Sequence, residues 1–380
     1  MKVAIVHYWL KDMRGGEKVV EALCNLFPSA DIFTLFYDEN SVTEKLRAHS
    51  VQTSALNRIP GIKKWYKSLL PLMPFALEHF DMSPYDLVIS SESGPAKGII
   101  PRPDALHICY CHSPMRYIWD HYHQYSASAN RLTRAAMPIF APMLRQWDVT
   151  TASRVDKFIA NSRHVANRIK RYYHRSATII YPPVSVNDFA PTSDIGDFYL
   201  CAGHLVPYKR INLAVQAFTE MKKKLVVIGG GEELARLRVM SGPTITLMDR
   251  QTFPVLKDHM ARCRALIFPG EEDFGMTPVE VMASGRPVIA FGRGGALETV
   301  VPGATGLLFD QQSVADIVEA VHRFEAMEES FNSETIRERA LLFSDVVFQE
   351  RMNSFVDEAL EDHNREIGAR TGYFGRGTEN

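Results

Sequence analysis

The sequence predicts an α/β protein with two doubly wound domains, each a parallel β-sheet covered by helices. Short apolar runs that are continuous rather than alternating are typical of strands buried on both faces of a parallel sheet. Amphipathic helical patterns lie between these runs, which indicates βαβ units. Because both halves of the 380-residue chain show this alternation, we expect two Rossmann-like domains rather than one.

Ten apolar runs are predicted to be strands, five in each half of the chain. They lie at residues 3–8, 87–90, 106–111, 157–160, 178–181, 199–202, 225–228, 245–248, 265–268 and 287–291. Helical patterns lie at residues 17–26, 163–173 and 213–221. The opening MKVAIVHYWL has too short an apolar run for a signal peptide or a membrane span, so it is interpreted as the first strand.

The domain boundary is expected at Tyr181-Pro182-Pro183-Val184, because two prolines after a strand continue neither a sheet nor a helix. This gives domains at 1–183 and 184–345, followed by a helix at 346–362 that packs near the first domain. Residues 363–380, rich in glycine and charge, are predicted to be a disordered tail. Ligands of such sheets bind beyond the carboxyl ends of the strands, so the site is expected in a cleft between the domains.

Charge is distributed unevenly along a chain with a net charge of −1. Residues 1–190 hold 23 Lys+Arg and 16 Asp+Glu, about +7, whereas residues 191–380 hold 20 and 28, about −8. A basic half indicates an anionic partner, either a phosphorylated substrate or a membrane surface. Chance asymmetry between solvated faces is the alternative. Nothing in the sequence indicates a nucleic-acid partner.

The five cysteines have no framework spacing, which indicates a reducing compartment and hence the cytoplasm. Cys109 and Cys111 alternate within an apolar run. They are therefore predicted to be buried strand thiols rather than metal ligands.

The segment from Phe268 to Glu280, FPGEEDFGMTPVE, carries the strongest functional pattern. A strand ends there, and a helix is predicted with Thr277 as N-cap, Pro278 at its first position and Glu280 at its third. Main-chain N–H groups and the helix dipole at such a start suit a diphosphate. The simpler alternatives are a Thr277–Glu280 capping box and, for Glu272 in the loop, a solvated acid.

The seven-residue gap between Glu272 and Glu280 resembles the E-x7-E segment of family 4 retaining glycosyltransferases, which have the two-domain GT-B fold. Further segments resemble this family in the same order along the chain. They are GGE at 15–17, HSPMRY at 112–117, FIANS at 158–162, YPPV at 181–184, LVPYKR at 205–210, GGGE at 229–232 and GGALE at 294–298.

The resemblance implies roles for individual residues. Glu272 would contact the transferred sugar, Glu280 the ribose, and Lys209 the leaving diphosphate, where negative charge develops. His112 would lie near the reacting sugar, although a core histidine is the alternative. The remaining implied donor-binding residues are Gly15, Gly16, His204, Arg210, Gly229, Phe274, Gly275, Met276 and Thr277.

One position departs from the family, because His204 stands where an Arg is common. A neutral His offers one donor, whereas Arg is a permanent bidentate phosphate ligand. The chain also has no D-x-D sequence, so we expect metal-independent activity without a cofactor. The resemblance further implies retention through attack on the face that the nucleotide leaves.

Two stretches of the first domain, residues 59–80 and 131–147, are both apolar and basic. Prolines at positions 71, 74, 138 and 142 argue against long straight helices and against membrane spans, so short interfacial helices are expected. The residues predicted to meet the acceptor or an anionic inner-leaflet surface are Lys63, Lys64, Trp65, Lys67, Arg134 and Arg145. Ordinary helices with solvated Lys and Arg are the alternative. A peripheral location on the inner membrane follows from the first interpretation.

Within the family, the similarity is to bacterial mannosyltransferases of the xanthan and acetan type. This implies GDP-mannose as donor and a polyprenyl-diphosphate-linked oligosaccharide as acceptor, in exopolysaccharide or O-antigen synthesis. A UDP-sugar donor, an epimerase or hydrolase, and an inactive binding homologue stay open. A nicotinamide dehydrogenase would need G-x-G-x-x-G after the first strand, and residues 3–17 lack it.

Overall fold

A computed structural model describes residues 1–62, 65–129 and 131–374. The chain divides into two compact units. The first contains Met1–Tyr181 together with the residues from Phe348 onward, and the second is Pro182–Val347. The first segment of the first unit therefore ends at Tyr181, two residues before the predicted domain end at residue 183.

The first unit contains a seven-stranded parallel sheet in the order β3-β2-β1-β4-β5-β6-β7. The strands are β1 (Val3–His7), β2 (Asp31–Thr34), β3 (Val51–Thr53), β4 (Leu87–Glu92), β5 (Leu106–Cys111), β6 (Lys157–Ala160) and β7 (Thr178–Ile179). The helices are α1 (Gly15–Leu26), α2 (Glu44–Arg47), α3 (Met73–Glu78), α4 (Tyr122–Ser128), α5 (Arg131–Thr151), α6 (Arg163–Tyr173) and α14 (Asp345–Phe374), of which α14 begins in the second unit.

The second unit contains a six-stranded parallel sheet in the order β10-β9-β8-β11-β12-β13. Its strands are β8 (Tyr199–Ala202), β9 (Leu225–Ile228), β10 (Ile245–Met248), β11 (Leu266–Phe268), β12 (Val288–Phe291) and β13 (Gly306–Phe309). Its helices are α7 (Ile211–Met221), α8 (Leu234–Met240), α9 (Phe253–Arg262), α10 (Met276–Ala283), α11 (Ala296–Thr299), α12 (Val314–Met327) and α13 (Ser333–Leu341).

These two sheets confirm the predicted fold class. The central strands are fully buried, as their apolar runs predict, and Cys109 and Cys111 lie in β5 as buried thiols. The prediction missed β2, β3 and β13. Strands β3 and β13 lie at the edges of their sheets, and β2 begins and ends with a polar residue, so their patterns are less apolar than those of most central strands.

Helix α5 differs from the prediction that prolines would prevent a long helix. It runs for 21 residues with Pro138 and Pro142 inside it. A proline removes one helical hydrogen bond, but α5 compensates by tertiary packing on one face. The buried residues of that face are Ala141, Leu144, Asp148 and Thr151.

The end of the chain also differs from the prediction. Helix α14 continues to Phe374, whereas we predicted a helix ending at 362 and a disordered tail from 363. Its apolar side chains Phe348, Met352, Val356 and Ala359 recur at helical spacing and join the core of the first unit. Residues 375–380 of the predicted tail lie outside the described residues.

Candidate functional site

In the second unit, the predicted site residues lie in loops that follow neighbouring parallel strands. The strand order places β8 and β11 side by side at the point where the direction of winding reverses. Ligands of doubly wound sheets bind beyond the carboxyl ends of the strands at this point. The loops after β8, β9, β11 and β12 all emerge at this edge because the strands are parallel.

Glycines allow these loops to pack main chain against main chain. A Cβ atom on Gly229 would lie 1.9 Å from the carbonyl oxygen of Gly203. A Cβ on Gly294 would lie 2.2 Å from the oxygen of Glu272, and one on Gly295 would lie 2.1 Å from that of Phe274. The glycines of the GGGE and GGALE segments are therefore needed for steric reasons. They allow the loops after β9 and β12 to pack against the loops that carry Lys209 and Glu272.

Lys209 and Glu272 form an ion pair across the junction of β8 and β11. The Nζ of Lys209 lies 2.7 Å from Oε1 of Glu272, and the side chains are only 13% and 20% exposed. Burial alone would lower the pKa of Lys209. The carboxylates of Glu272 and, to a smaller extent, Glu280 outweigh it, so the pKa of Lys209 lies above its ordinary value. The site therefore presents a fixed ammonium group at neutral pH.

Helix α10 begins one residue before Thr277, which corrects the predicted cap. Gly275 occupies the N-cap with φ of +83°, a left-handed conformation that favours glycine, and no side chain caps the helix. Thr277 and Glu280 consequently form no capping box. The half-buried Glu280 lies in the second turn, so its carboxylate is not needed for helix initiation. The first-turn N–H groups of α10 lack intrahelical acceptors, which suits an anionic ligand.

The other predicted residues after β8 share the same loop with Lys209. His204 is exposed in the loop. Arg210 adopts a left-handed conformation with φ of +55° and immediately precedes α7. The structure thus brings His204, Lys209, Arg210, Gly229 and the loop from Glu272 to one edge of a single unit.

In the first unit, the predicted residues Gly15, Gly16 and His112 lie at the carboxyl edge of the other sheet. Gly15 and Gly16 open α1, and a Cβ on Gly16 would lie 2.9 Å from the Tyr8 hydroxyl and 3.7 Å from Nε2 of His112. His112 follows β5, and its Nε2 lies 2.8 Å from Oγ of Ser91 at the end of β4. This supports a defined orientation for His112.

Sequence reasoning missed three residues that hold this part of the first unit. Ser91 and His7 are both fully buried polar residues, and Arg168 is 7% exposed. Arg168, on α6, donates hydrogen bonds to Ser113 Oγ at 2.5 Å and Asp120 at 2.6 Å, which secures the loop after His112. A polar residue inside an apolar strand, such as Ser91, is the only local signal that could have indicated this role.

The residues predicted to meet a membrane have different environments. Trp65 and Lys67 are exposed, as is Arg134, whose guanidinium donates to main-chain oxygens at the end of α4. Arg145 departs from the prediction because it is directed into the unit. Its Nε lies 2.5 Å from the oxygen of Ile118, and its guanidinium stacks over Tyr122. Lys63 and Lys64 lie outside the described residues.

The described part of the chain contains neither a helix suited to spanning a membrane nor a cluster suited to holding a metal ion. No helix there combines the length and apolarity needed to cross a membrane. No group of three or more His, Cys, Asp or Glu side chains has an arrangement that could hold a metal ion.

Both units match models of known protein families. Residues 13–188 match the model described as Glycosyltransferase Family 4, and residues 191–340 match Glycosyl transferases group 1. The two matches follow one another and together span most of the chain. The chain belongs to the family 4 glycosyltransferases.

Curated relatives of this family 4 protein share modest identity. An uncharacterised glycosyltransferase of Methanocaldococcus jannaschii is 30% identical over 44% of this chain and 48% of its own length. An alpha-1,3/1,6-mannosyltransferase of Dictyostelium discoideum is 25% identical over 56% and 60%. A GDP-mannose-dependent alpha-(1-6)-phosphatidylinositol monomannoside mannosyltransferase of Mycolicibacterium smegmatis is 29% identical over 42% and 50%. The alignments span about half the length of these relatives.

Solved structures share the GT-B fold of this family 4 protein. Sucrose-phosphate synthase of Thermosynechococcus elongatus has a TM-score of 0.72 at 18% identity and covers 95% of this chain and 100% of its own. Anabaena HepE in complex with UDP has a TM-score of 0.69 at 15% identity, with coverages of 94% and 100%. At these identities the likeness concerns the fold alone.

Proposed function

We propose that this protein is a retaining mannosyltransferase that uses GDP-mannose and a polyprenyl-diphosphate-linked saccharide acceptor. The observation that carries the proposal is the Lys209–Glu272 ion pair, beside the start of α10, at the carboxyl edge of a doubly wound sheet. Mannose is favoured by the relatives from Dictyostelium and Mycolicibacterium, whose names specify mannosyl transfer and, in the second, GDP-mannose.

The proposed reaction breaks the bond between the sugar C1 and the β-phosphate oxygen and forms a bond from C1 to an acceptor hydroxyl. Negative charge develops on the departing diphosphate, where Lys209, Arg210 and the first-turn N–H groups of α10 would stabilise it. The departing phosphate would accept the acceptor's proton on the same face, so the anomeric configuration is retained. Glu272 would accept hydrogen bonds from sugar hydroxyls, and Glu280 would hold the ribose.

Metal independence is part of the proposal. The pKa of Lys209 lies above its ordinary value, so a protein cation is present throughout the neutral range. A fixed ammonium and a helix start together offer the positive potential that a divalent cation supplies in other sugar-nucleotide enzymes.

The proposed acceptor side is the first unit. Helix α5 exposes Leu132, Ile139 and Met143, which are 81%, 65% and 60% exposed, and the neighbouring segment exposes Phe75 at 63%. Together with exposed Lys67, these side chains favour contact with an anionic membrane that carries a lipid-linked acceptor. The proposed location is therefore peripheral, on the inner leaflet.

To test this proposal, the purified protein is incubated with GDP-mannose, UDP-glucose or UDP-galactose, with and without a polyprenyl-diphosphate-linked disaccharide. The measured quantity is the GDP or UDP released. We expect GDP release that requires the acceptor. UDP release instead would refute the donor, and equal release without an acceptor would indicate a hydrolase. EDTA should leave the rate unchanged, whereas loss restored by Mg²⁺ or Mn²⁺ would contradict metal independence.

A further inference from the structure

A buried chain of polar side chains leads to His112 in the first unit. Oε1 of Glu17, on α1, lies 3.7 Å from Nε2 of His7 at the end of β1. Nδ1 of His7 lies 3.0 Å from Oγ of Ser91, which lies 2.8 Å from Nε2 of His112. His7 and Ser91 are register partners in the pairing of β1 with β4, and both are fully buried. The chain therefore depends on the central strands of the sheet.

The contacts of His7 determine where the protons lie. Nδ1 of His7 also lies 3.2 Å from the carbonyl oxygen of Ser91, which can only accept a hydrogen bond. Nδ1 of His7 must therefore carry a proton and donate to Ser91. The Ser91 hydroxyl accepts from His7, so its own proton is available for donation to Nε2 of His112. With that donation Nε2 of His112 is an acceptor, and the proton of a neutral His112 ring is on Nδ1.

We propose that Ser91 and His7 are positioning residues, which hold the His112 imidazole in the tautomer with its proton on Nδ1. The inference rests on the proposed function together with the role that the family resemblance implies for His112, which is to lie near the reacting sugar. A neutral imidazole donates only from its protonated nitrogen, so a histidine that donates to a sugar hydroxyl or phosphate oxygen needs that nitrogen specified. A hydrogen bond to the other nitrogen specifies it, as orienting groups do for catalytic and metal-bound histidines.

Glu17 lies on the opposite side of His7 from Ser91. Its Oε2 accepts a hydrogen bond from the main-chain N–H of Arg14 at 3.0 Å, so the carboxylate is held at the start of α1. Its Oε1 faces Nε2 of His7, which leaves Nδ1 as the nitrogen directed to Ser91. At 3.7 Å this contact is not a hydrogen bond, so the orientation of the His7 ring depends on the two contacts of its Nδ1 with Ser91.

The same strand offers a matched control. Ser90 precedes Ser91 and projects from the opposite face of β4, because successive strand residues alternate. Its Oγ lies 2.9 Å from Nε2 of His107, and both residues are fully buried. Ser90→Ala thus removes a buried serine–histidine hydrogen bond of similar length without altering the contact to His112.

The tautomer can be measured by long-range ¹H–¹⁵N NMR of the full chain with labelled histidine, the His112 signals being assigned by their loss in His112→Gln. In the wild type we expect a protonated Nδ1 and an unprotonated Nε2. Ser91→Ala keeps the carbonyl acceptor for His7 but should give a mixture of tautomers. It should also lower kcat about tenfold, with the donor KM within twofold and thermal stability similar to that of Ser90→Ala.

Substitution of His7 provides an independent variant. His7→Asn places an amide N–H near the position of Nδ1 and should preserve the tautomer and kcat, whereas His7→Leu should behave like Ser91→Ala. A wild-type His112 protonated on Nε2, or Ser91→Ala indistinguishable from Ser90→Ala in tautomer and kcat, would overturn the proposal. Absence of turnover in the wild type would refute the proposed function instead, and the NMR measurement would still decide the tautomer.

Discussion

Lys209 and Glu272 show how two residues from separate loops create a site that neither provides alone. The half-buried pair places an ammonium group at the carboxyl edge of the sheet. In the proposed reaction this ammonium must be shared with a diphosphate. In that reaction the Glu272 carboxylate would have two functions, because it raises the pKa of Lys209 and would accept hydrogen bonds from sugar hydroxyls.

Glu272→Gln is expected to lower kcat about 100-fold or more, the usual scale for the loss of one preorganised electrostatic group. The amide preserves the shape of the side chain, but the pKa of Lys209 should fall because burial is no longer opposed by this carboxylate. The measurement is the initial rate of nucleotide release with saturating donor. Glu271→Gln, one residue earlier in the same loop, is the control and should keep most activity. Near-normal turnover of Glu272→Gln would contradict the assignment.

Among the elements, α5 combines a buried face that contains the charged Asp148 with an exposed apolar face. Asp148 on its inner face accepts hydrogen bonds from Trp119 at 2.8 Å and from Tyr173 and pairs with Lys97. These contacts keep the helix on the unit despite its two prolines. Its outer face exposes the large apolar side chains Leu132, Ile139 and Met143.

The double substitution Ile139→Gln and Met143→Gln is expected to weaken binding to phosphatidylglycerol vesicles at least tenfold. Both side chains are mostly exposed, so their loss removes apolar contact with lipid without opening the core. Sedimentation with vesicles measures the effect. Val239→Gln, which changes an 89% exposed side chain of α8 in the second unit, should bind normally. Unchanged sedimentation of the double variant would leave α5 as an ordinary surface helix.

At the scale of the whole molecule, a buried charge cluster makes stability depend on pH. Lys97 pairs with Asp148, its Nζ lies 3.6 Å from Oε1 of Glu92, and all three side chains are fully buried. Burial raises the pKa of Glu92 to about 7. Asp148 adds to the rise, and Lys97 only partly opposes it. Two carboxylates thus share one ammonium, so a proton on Glu92 relieves the excess negative charge.

Because the folded pKa of Glu92 exceeds the ordinary value of 4.5, the folded chain holds a proton between these values that the unfolded chain releases. The free energy of unfolding therefore falls as pH rises through this window, by up to about 3 kcal/mol. Glu92→Gln mimics the protonated carboxyl and should be more stable than the wild type at pH 8, with a smaller difference at pH 5. Denaturant unfolding at both pH values measures this. Exposed Glu39→Gln should follow the wild type, and an unchanged pH slope in Glu92→Gln would contradict the cluster's role.

The fold class and most of the central strands could be predicted from the amino-acid sequence. The strands β5, β6, β8, β9 and β10 and the helix α6 have their predicted bounds. Strands buried on both faces require continuous apolar residues, so this information is local. The order of short motifs likewise placed Lys209, Glu272 and His112 after strands, and within each sheet parallel strands bring their carboxyl ends to one edge.

Which of these side chains are in contact could be learned only from the tertiary structure. The Lys209–Glu272 pair depends on β8 lying beside β11, and the contacts of Ser91 depend on β1 and β5 flanking β4. The start of α10 at Met276 rather than after Thr277, and the persistence of α5 through two prolines, follow from backbone conformation and packing. Such contacts join residues far apart in the chain, and local propensity contains no information about them.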